Sequence, residues 1–86
     1  MANLNHTMRK LQTAIVQMGK RVKIYTRQFY SEEQDRMITI YSVMLPMWSE
    51  VKEKMVDHEL LKTCSTAEVV KFLANMLEGL QNGSEP

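Results

Sequence analysis

The residues that could do chemistry are few and poorly spaced for it. His6 and His58 stand 52 positions apart and Cys64 is the only cysteine, so no set of metal ligands with a recognisable spacing forms. Asp57, His58 and Cys64 could be assembled into a base and a nucleophile. Such a site also needs an orienting third group and oxyanion donors, and nothing in the sequence signals either. The expectation is a protein that is not an enzyme, with no catalytic or metal-binding residues and no cofactor. Cys64, next to a helix-capping serine, is expected to pack against the last helix. The acidic pairs Glu32/Glu33 and Glu50/Glu53 read as solvated charges of a loop or a helix face.

A richer set lies between Lys20 and Leu45, KRVKIYTRQFYSEEQDRMITIYSVML. Two β-branched, aromatic-rich runs flank a short polar segment, the pattern of a β-hairpin. Strand alternation over Arg21–Tyr30 puts Val22, Ile24, Thr26, Gln28 and Tyr30 on one face and Arg21, Lys23, Tyr25, Arg27 and Phe29 on the other. The second run, Arg36–Leu45, places Tyr41, Val43 and Leu45 opposite Ile38, Ile40 and Met44. A connecting loop with an even residue count aligns the Val22/Ile24 face with Tyr41/Val43, whereas a one-residue slip exchanges the faces. The segment SEEQD suits a loop of four to six residues. The Val22/Ile24/Tyr41/Val43 face is then core. Arg21, Lys23, Tyr25, Arg27, Phe29, Ile38 and Ile40 make the candidate partner-binding surface. Rings alternating with cations suit single-stranded nucleic acid, and the mixture of Tyr, Arg and aliphatic residues suits a protein interface. No RNP-like, KH, helix-turn-helix or zinc signature accompanies the basic face.

The remaining elements would position this surface. Leu4, Met8, Leu11, Ile15 and Met18 recur at spacings of 4, 3, 4 and 3, one face of an N-terminal helix capped by Asn3 or Asn5 and stopped by Gly19. Pro46 is expected to end the second strand. Residues 47–63 read as a short helix or loop, with Ser49 as its cap, followed by a brief third strand in HELLKT. Ser65-Thr66-Ala67-Glu68 forms a capping box, and Val69, Phe72, Leu73, Met76, Leu77 and Leu80 follow as the apolar stripe of a final helix that Asn82 and Gly83 stop. The fold class expected is α+β: N-terminal helix, antiparallel hairpin with a short third strand, and C-terminal helix packed on one sheet face. Residues 1–81 make one small domain without internal repeats, and 82–86 a frayed tail.

Composition sets the outer bounds. The chain has 86 residues, is 44% hydrophobic and 24% charged, and carries a formal net charge of +1, within the ordinary globular range. That charge hides a split: residues 1–36 hold seven Lys/Arg against three acidic residues (+4), and residues 37–86 hold four against seven (−3), which points to a polar partner. No run approaches the ~20 apolar residues of a membrane span, and the N-terminus lacks the apolar core and cleavage site of a signal peptide. With one cysteine and no disulfide framework, the expected location is the cytoplasm. Most of the eight methionines are expected to fill an irregular core rather than an exposed patch.

The segments QFYSEEQDRMITIY and ELLKTCSTAEVVKFL resemble a family of small uncharacterised proteins encoded by prophages and integrative elements of Gram-positive, Firmicutes-type bacteria. Gln28, Phe29, Tyr30, Ser31, Arg36, Met37, Thr39 and Tyr41 match its hairpin. Leu60, Leu61, Ser65, Glu68, Val69, Val70, Phe72 and Leu73 match its later strand and helix. The resemblance implies a phage or mobile-element context and no established activity. Combined with the surface above, the expected function is a non-enzymatic binding module that engages a host or phage protein, as a modulator or inhibitor of a host or defence factor. The alternative is nucleic-acid binding through the basic hairpin face, and an exposed edge strand would also permit a homodimer.

Overall fold

The structure is a computed structural model that describes residues 4–83. Its elements are α1 (Leu4–Gln17), β1 (Lys23–Ser31), β2 (Arg36–Ser49), β3 (Lys54–Thr63) and α2 (Thr66–Asn82). The three strands form one antiparallel sheet in the order β1-β2-β3, and both helices contribute to a single core with one face of it. The α+β class with a helix at either end is as the sequence indicates.

The helices end for local reasons. In α1 the stripe delivers Met8 and Ile15 to the core, with Leu11 half-buried. Gly19 has φ +102°, its N–H bonds the Val16 carbonyl at 3.0 Å, and the Lys20 N–H reaches back to Ile15 at 3.3 Å. This is a Schellman stop, in which the left-handed position favours a residue without a Cβ. Asn3, one of the two candidate caps, lies outside the described residues, and Asn5 falls within α1. At α2 the Ser65 hydroxyl accepts the Glu68 N–H at 3.2 Å. The reciprocal half of the capping box is taken instead by Thr63, whose hydroxyl accepts the Ser65 N–H at 3.1 Å. Gly83 follows the helix with φ −103°, so it ends α2 without a left-handed residue.

β2 organises the sheet. It is 14 residues long, about 45 Å at the usual rise per residue. β1 pairs with its first part, from Ser31↔Arg36 to Lys23↔Met44, and β3 with its last part, from Tyr41↔Thr63 to Ser49↔Lys54. The strands are therefore staggered, and only Tyr41–Met44 has a neighbour on both sides. The Cα extents are 48 × 39 × 15 Å with a radius of gyration of 14.9 Å, against about 12 Å for a compact domain of this size. The result is a thin plate with a hairpin arm at either end.

The core sits where the strands overlap. Ile15, Val43, Val69 and Leu73 are fully buried, joined by Met8 and Val22, and Ile24, Tyr41, Leu45 and Leu61 pack around them. The Gln12 side-chain amide donates to the Val22 carbonyl at 3.3 Å, and the Thr66 hydroxyl donates to the Tyr41 hydroxyl at 3.0 Å. These two bonds fasten α1 and α2 to the chain entering β1 and to the middle of β2. The four-residue turn 32–35 keeps the register even, so the Val22/Ile24/Tyr41/Val43 face is the covered one.

Three expectations are overturned. Pro46 does not end β2, which continues to Ser49; by that point β1 has left the sheet, so the proline borders only one partner strand, and Pro is tolerated at an edge. Residues 47–53 hold no helix: β3 begins at Lys54 and runs ten residues, so the third strand is not brief. Ser49 does act on a backbone N–H three residues on (Lys52, 3.3 Å), but it closes a turn. The turns are twins. Ser31 accepts the Gln34 N–H at 3.3 Å, and each loop closes on a left-handed acidic residue, Asp35 (φ +53°) and Glu53 (φ +52°). SEEQDR and SEVKEK are thus one turn motif used twice, a repeat that the sequence reading missed.

The methionines are the third. Met1 lies outside the described residues; of the others only Met8 is buried, Met44 and Met76 are half-buried, and Met18, Met37, Met47 and Met55 are exposed. A plate this thin has too little interior to hold them.

Candidate functional site on the open sheet face

The face of the sheet turned away from the helices carries the surface singled out from the sequence. The register sets Phe29 opposite Ile38, Arg27 opposite Ile40, Tyr25 opposite Ser42 and Lys23 opposite Met44. On the other side of β2, Ser42 pairs with Lys62, Met44 with Glu59, Pro46 with Asp57 and Trp48 with Met55. A bulge at Leu60, skipped between Val43↔Leu61 and Met44↔Glu59, keeps Glu59 and Lys62 on one face although they are three residues apart. Sequence reasoning does not foresee this β3 contribution, because Pro46 and the capping pattern at Ser49 point to a helix or loop ahead of a brief strand.

The open face has its own bonding. Asp57 accepts from the Tyr25 hydroxyl at 3.2 Å and from the Lys23 ammonium at 3.5 Å, which joins β1 to β3 across β2. This is the only salt bridge among the described residues. The side chains of Arg27, Glu59 and Lys62 have no hydrogen bond or ion pair among the described residues. Together with Tyr25, Ile40 and Ser42 they line a shallow depression of about 270 Å³. Arg21 falls outside the set, since it precedes β1 beside Val16 and Gly19. Ile38 is only 8% exposed, so it belongs to the floor and offers a visitor little. Tyr25, Phe29, Trp48 and Met55 stand out of the face at 43–60% exposure.

The imagined catalytic set is not brought together. The Asp57 carboxylate is engaged on the open face, pleat alternation turns the adjacent His58 to the other side, and Cys64 is an exposed free thiol beyond the end of β3. The expected packing of Cys64 against α2 is therefore wrong: the bend between Thr63 and Ser65 turns it outward. Among the described residues no group of three His, Cys, Asp or Glu could hold a metal ion, and no helix is long and apolar enough to cross a membrane.

Beyond the helices, the β1–β2 arm mixes polar and apolar residues on both faces. On the helix side it carries Thr26, Gln28 and Thr39 and the exposed Tyr30 and Met37, with Gln28 bonded to Thr39 at 3.1 Å, while on the open side it carries Arg27, Phe29, Ile38 and Ile40. Both sides of this arm therefore present apolar residues to solvent, Phe29 on the open side and Tyr30 and Met37 on the helix side. Comparisons of the chain with family models, with curated proteins and with solved structures find no match.

Proposed function

We propose that this chain is a non-enzymatic binding module of a phage or mobile element, acting in the cytoplasm, that engages a protein partner through the open sheet face and so modulates a host or defence factor. The observation that carries the reading is the set of exposed rings on the open face: Tyr25, Phe29 and Trp48 stand in solvent on the side the helices do not cover. Tyr, Trp, Met and Arg are also the residue types enriched in protein interfaces. The mobile-element context rests on the resemblance of the hairpin and final-helix motifs.

A polyanion is the weaker partner. Asp57 and Glu59 share the face with Lys23, Arg27 and Lys62, and Lys23 is already paired, so little unopposed positive charge is left for phosphates. Pull-down with wild type and with the Tyr25→Ala/Arg27→Ala variant tests the reading. Loss of specific partners in the folded variant is expected, and retention of every partner sinks it. Binding to DNA or RNA that falls steeply with salt would favour the polyanion instead.

A further inference from the structure

The occupant of the open face can be named from its charge layout. We infer that it is a second copy of this chain, packed sheet to sheet about a two-fold axis that runs along β2, inclined to it by about 15°, half the usual angle between packed sheets. The inference rests on the reading of this face as a protein-binding surface and identifies the partner.

The face has three lanes. Ile38, Ile40, Ser42, Met44, Pro46 and Trp48 of β2 form a mostly apolar middle lane. The β1 lane contributes the cations Lys23 and Arg27, and the β3 lane contributes Asp57 and Glu59 with Lys62. A two-fold in the interface plane can run along the strands or across them. Across the strands it lays β1 over β1 of the copy, setting Lys23 and Arg27 against their own images, and it stacks the acidic lane on itself. Along the strands it lays β1 over β3 of the copy and β2 over β2. Lys23 and Glu59 are both level with Met44, so each Lys23 then meets the copy's otherwise unpaired Glu59. Tyr25 and Lys62 are both level with Ser42, which brings a ring face to an ammonium. Arg36, at the tip of the middle lane, lies six residues from Ser42, where the usual ~30° angle between packed sheets has carried the two β2 strands about 10 Å apart.

The contact is centred where the lanes overlap. β1 and β3 share only the levels of Tyr41–Met44, so the copy's β3 covers Lys23 and Tyr25, while Arg27 and Phe29 project beyond its end at Thr63. The apolar share of the contact comes from β2 on β2, through Ile40, Met44 and the exposed Trp48 ring.

Sedimentation equilibrium of the full chain tests this, with Glu59→Lys, the exchange Lys23→Glu/Glu59→Lys, and Ile40→Glu. The wild type is expected to be a dimer at micromolar concentration. Glu59→Lys, at an exposed strand position, should keep the thermal melt and weaken the dimer about tenfold, since two charge pairs are reversed at once. The exchange should recover part of that loss, since it also sets a carboxylate beside Asp57, and Ile40→Glu, which sets two carboxylates together near the axis, should give monomer. A monomer at all concentrations overturns the inference, as does a dimer that ignores these variants or weakening without rescue. A monomeric chain that still loses a captured partner on Tyr25→Ala/Arg27→Ala would leave the binding reading standing and this inference fallen.

Discussion

The Tyr25 hydroxyl donates to the Asp57 carboxylate across 3.2 Å, joining β1 to β3, two strands that share no backbone ladder. Lys23 reaches the same carboxylate, so one acidic residue ties down the start of β1 from the far side of β2.

This tie is partly exposed, and its removal should cost little globally. Asp57→Ala is expected to lower stability by roughly 0.2–1 kcal/mol, the usual range for surface pairs. The local effect should be larger, with faster hydrogen exchange at Lys23–Tyr25 and little change in α2. Unchanged exchange in β1 would show that the tie does not restrain it.

The two adjacent large residues of α2 should behave differently. Leu73 is fully buried and Phe72 only partly, so Leu73→Ala is expected to cost about 2–5 kcal/mol and Phe72→Ala less. Urea denaturation of both variants measures this. Equal losses, or none at Leu73, would refute the packing described around Val43 and Val69.

Glu53 closes the second turn with φ +52°, a left-handed conformation that disfavours residues with a Cβ. Glu53→Gly should stabilise the protein by about 0.5–1 kcal/mol, net of the freedom glycine adds to the unfolded chain. A lower midpoint in the denaturation curve would show that the Glu53 side chain contributes something beyond its backbone.

What could be read from the sequence follows from what each signal measures. Periodicity found α1, α2 and the first hairpin because each buries a stripe whose spacing is local. Alternation also separated the Tyr25/Arg27/Phe29 face from the Val22/Ile24 face, and the even turn kept it valid. The second hairpin was hidden because Ser49 offers its hydroxyl to an N–H three residues ahead, a bond that serves a helix cap and a tight turn equally. Pro46 compounded this, since its tolerance depended on where β1 stops, a non-local fact. Missing β3 meant missing Asp57, Glu59 and Lys62, and with them the charge balance of the open face. The pairing of SEEQDR with SEVKEK was the signal available in the chain to recover it.

At the first turn, the exposed Tyr30 hydroxyl donates to the Asp35 carboxylate, and this bond, followed by a small contribution from burial, raises the Tyr30 phenol above its ordinary value. Raising the folded pKa favours the neutral phenol. The contribution to stability is therefore present below the unfolded pKa near 10 and is lost as pH rises through the folded value. Ultraviolet titration of the phenolate should show Tyr30 ionising late, with Asp35→Asn returning it toward the ordinary value. An unchanged curve in that variant would remove Asp35 as the cause.

The twin turns also bear on the order in which the chain assembles. Each hairpin closes through a loop of only four residues, so either can zip from its own tip on a timescale of ~1–10 μs. Both zippers run inward along the same strand and converge at Val43, where the helices wait to dock. The slow step is then joining α1 to α2 across the intervening 48 residues, because closing the longer loop costs more entropy. Temperature-jump measurements should find hairpin signals forming ahead of helix docking, and a single shared rate would show that the arms cannot form alone.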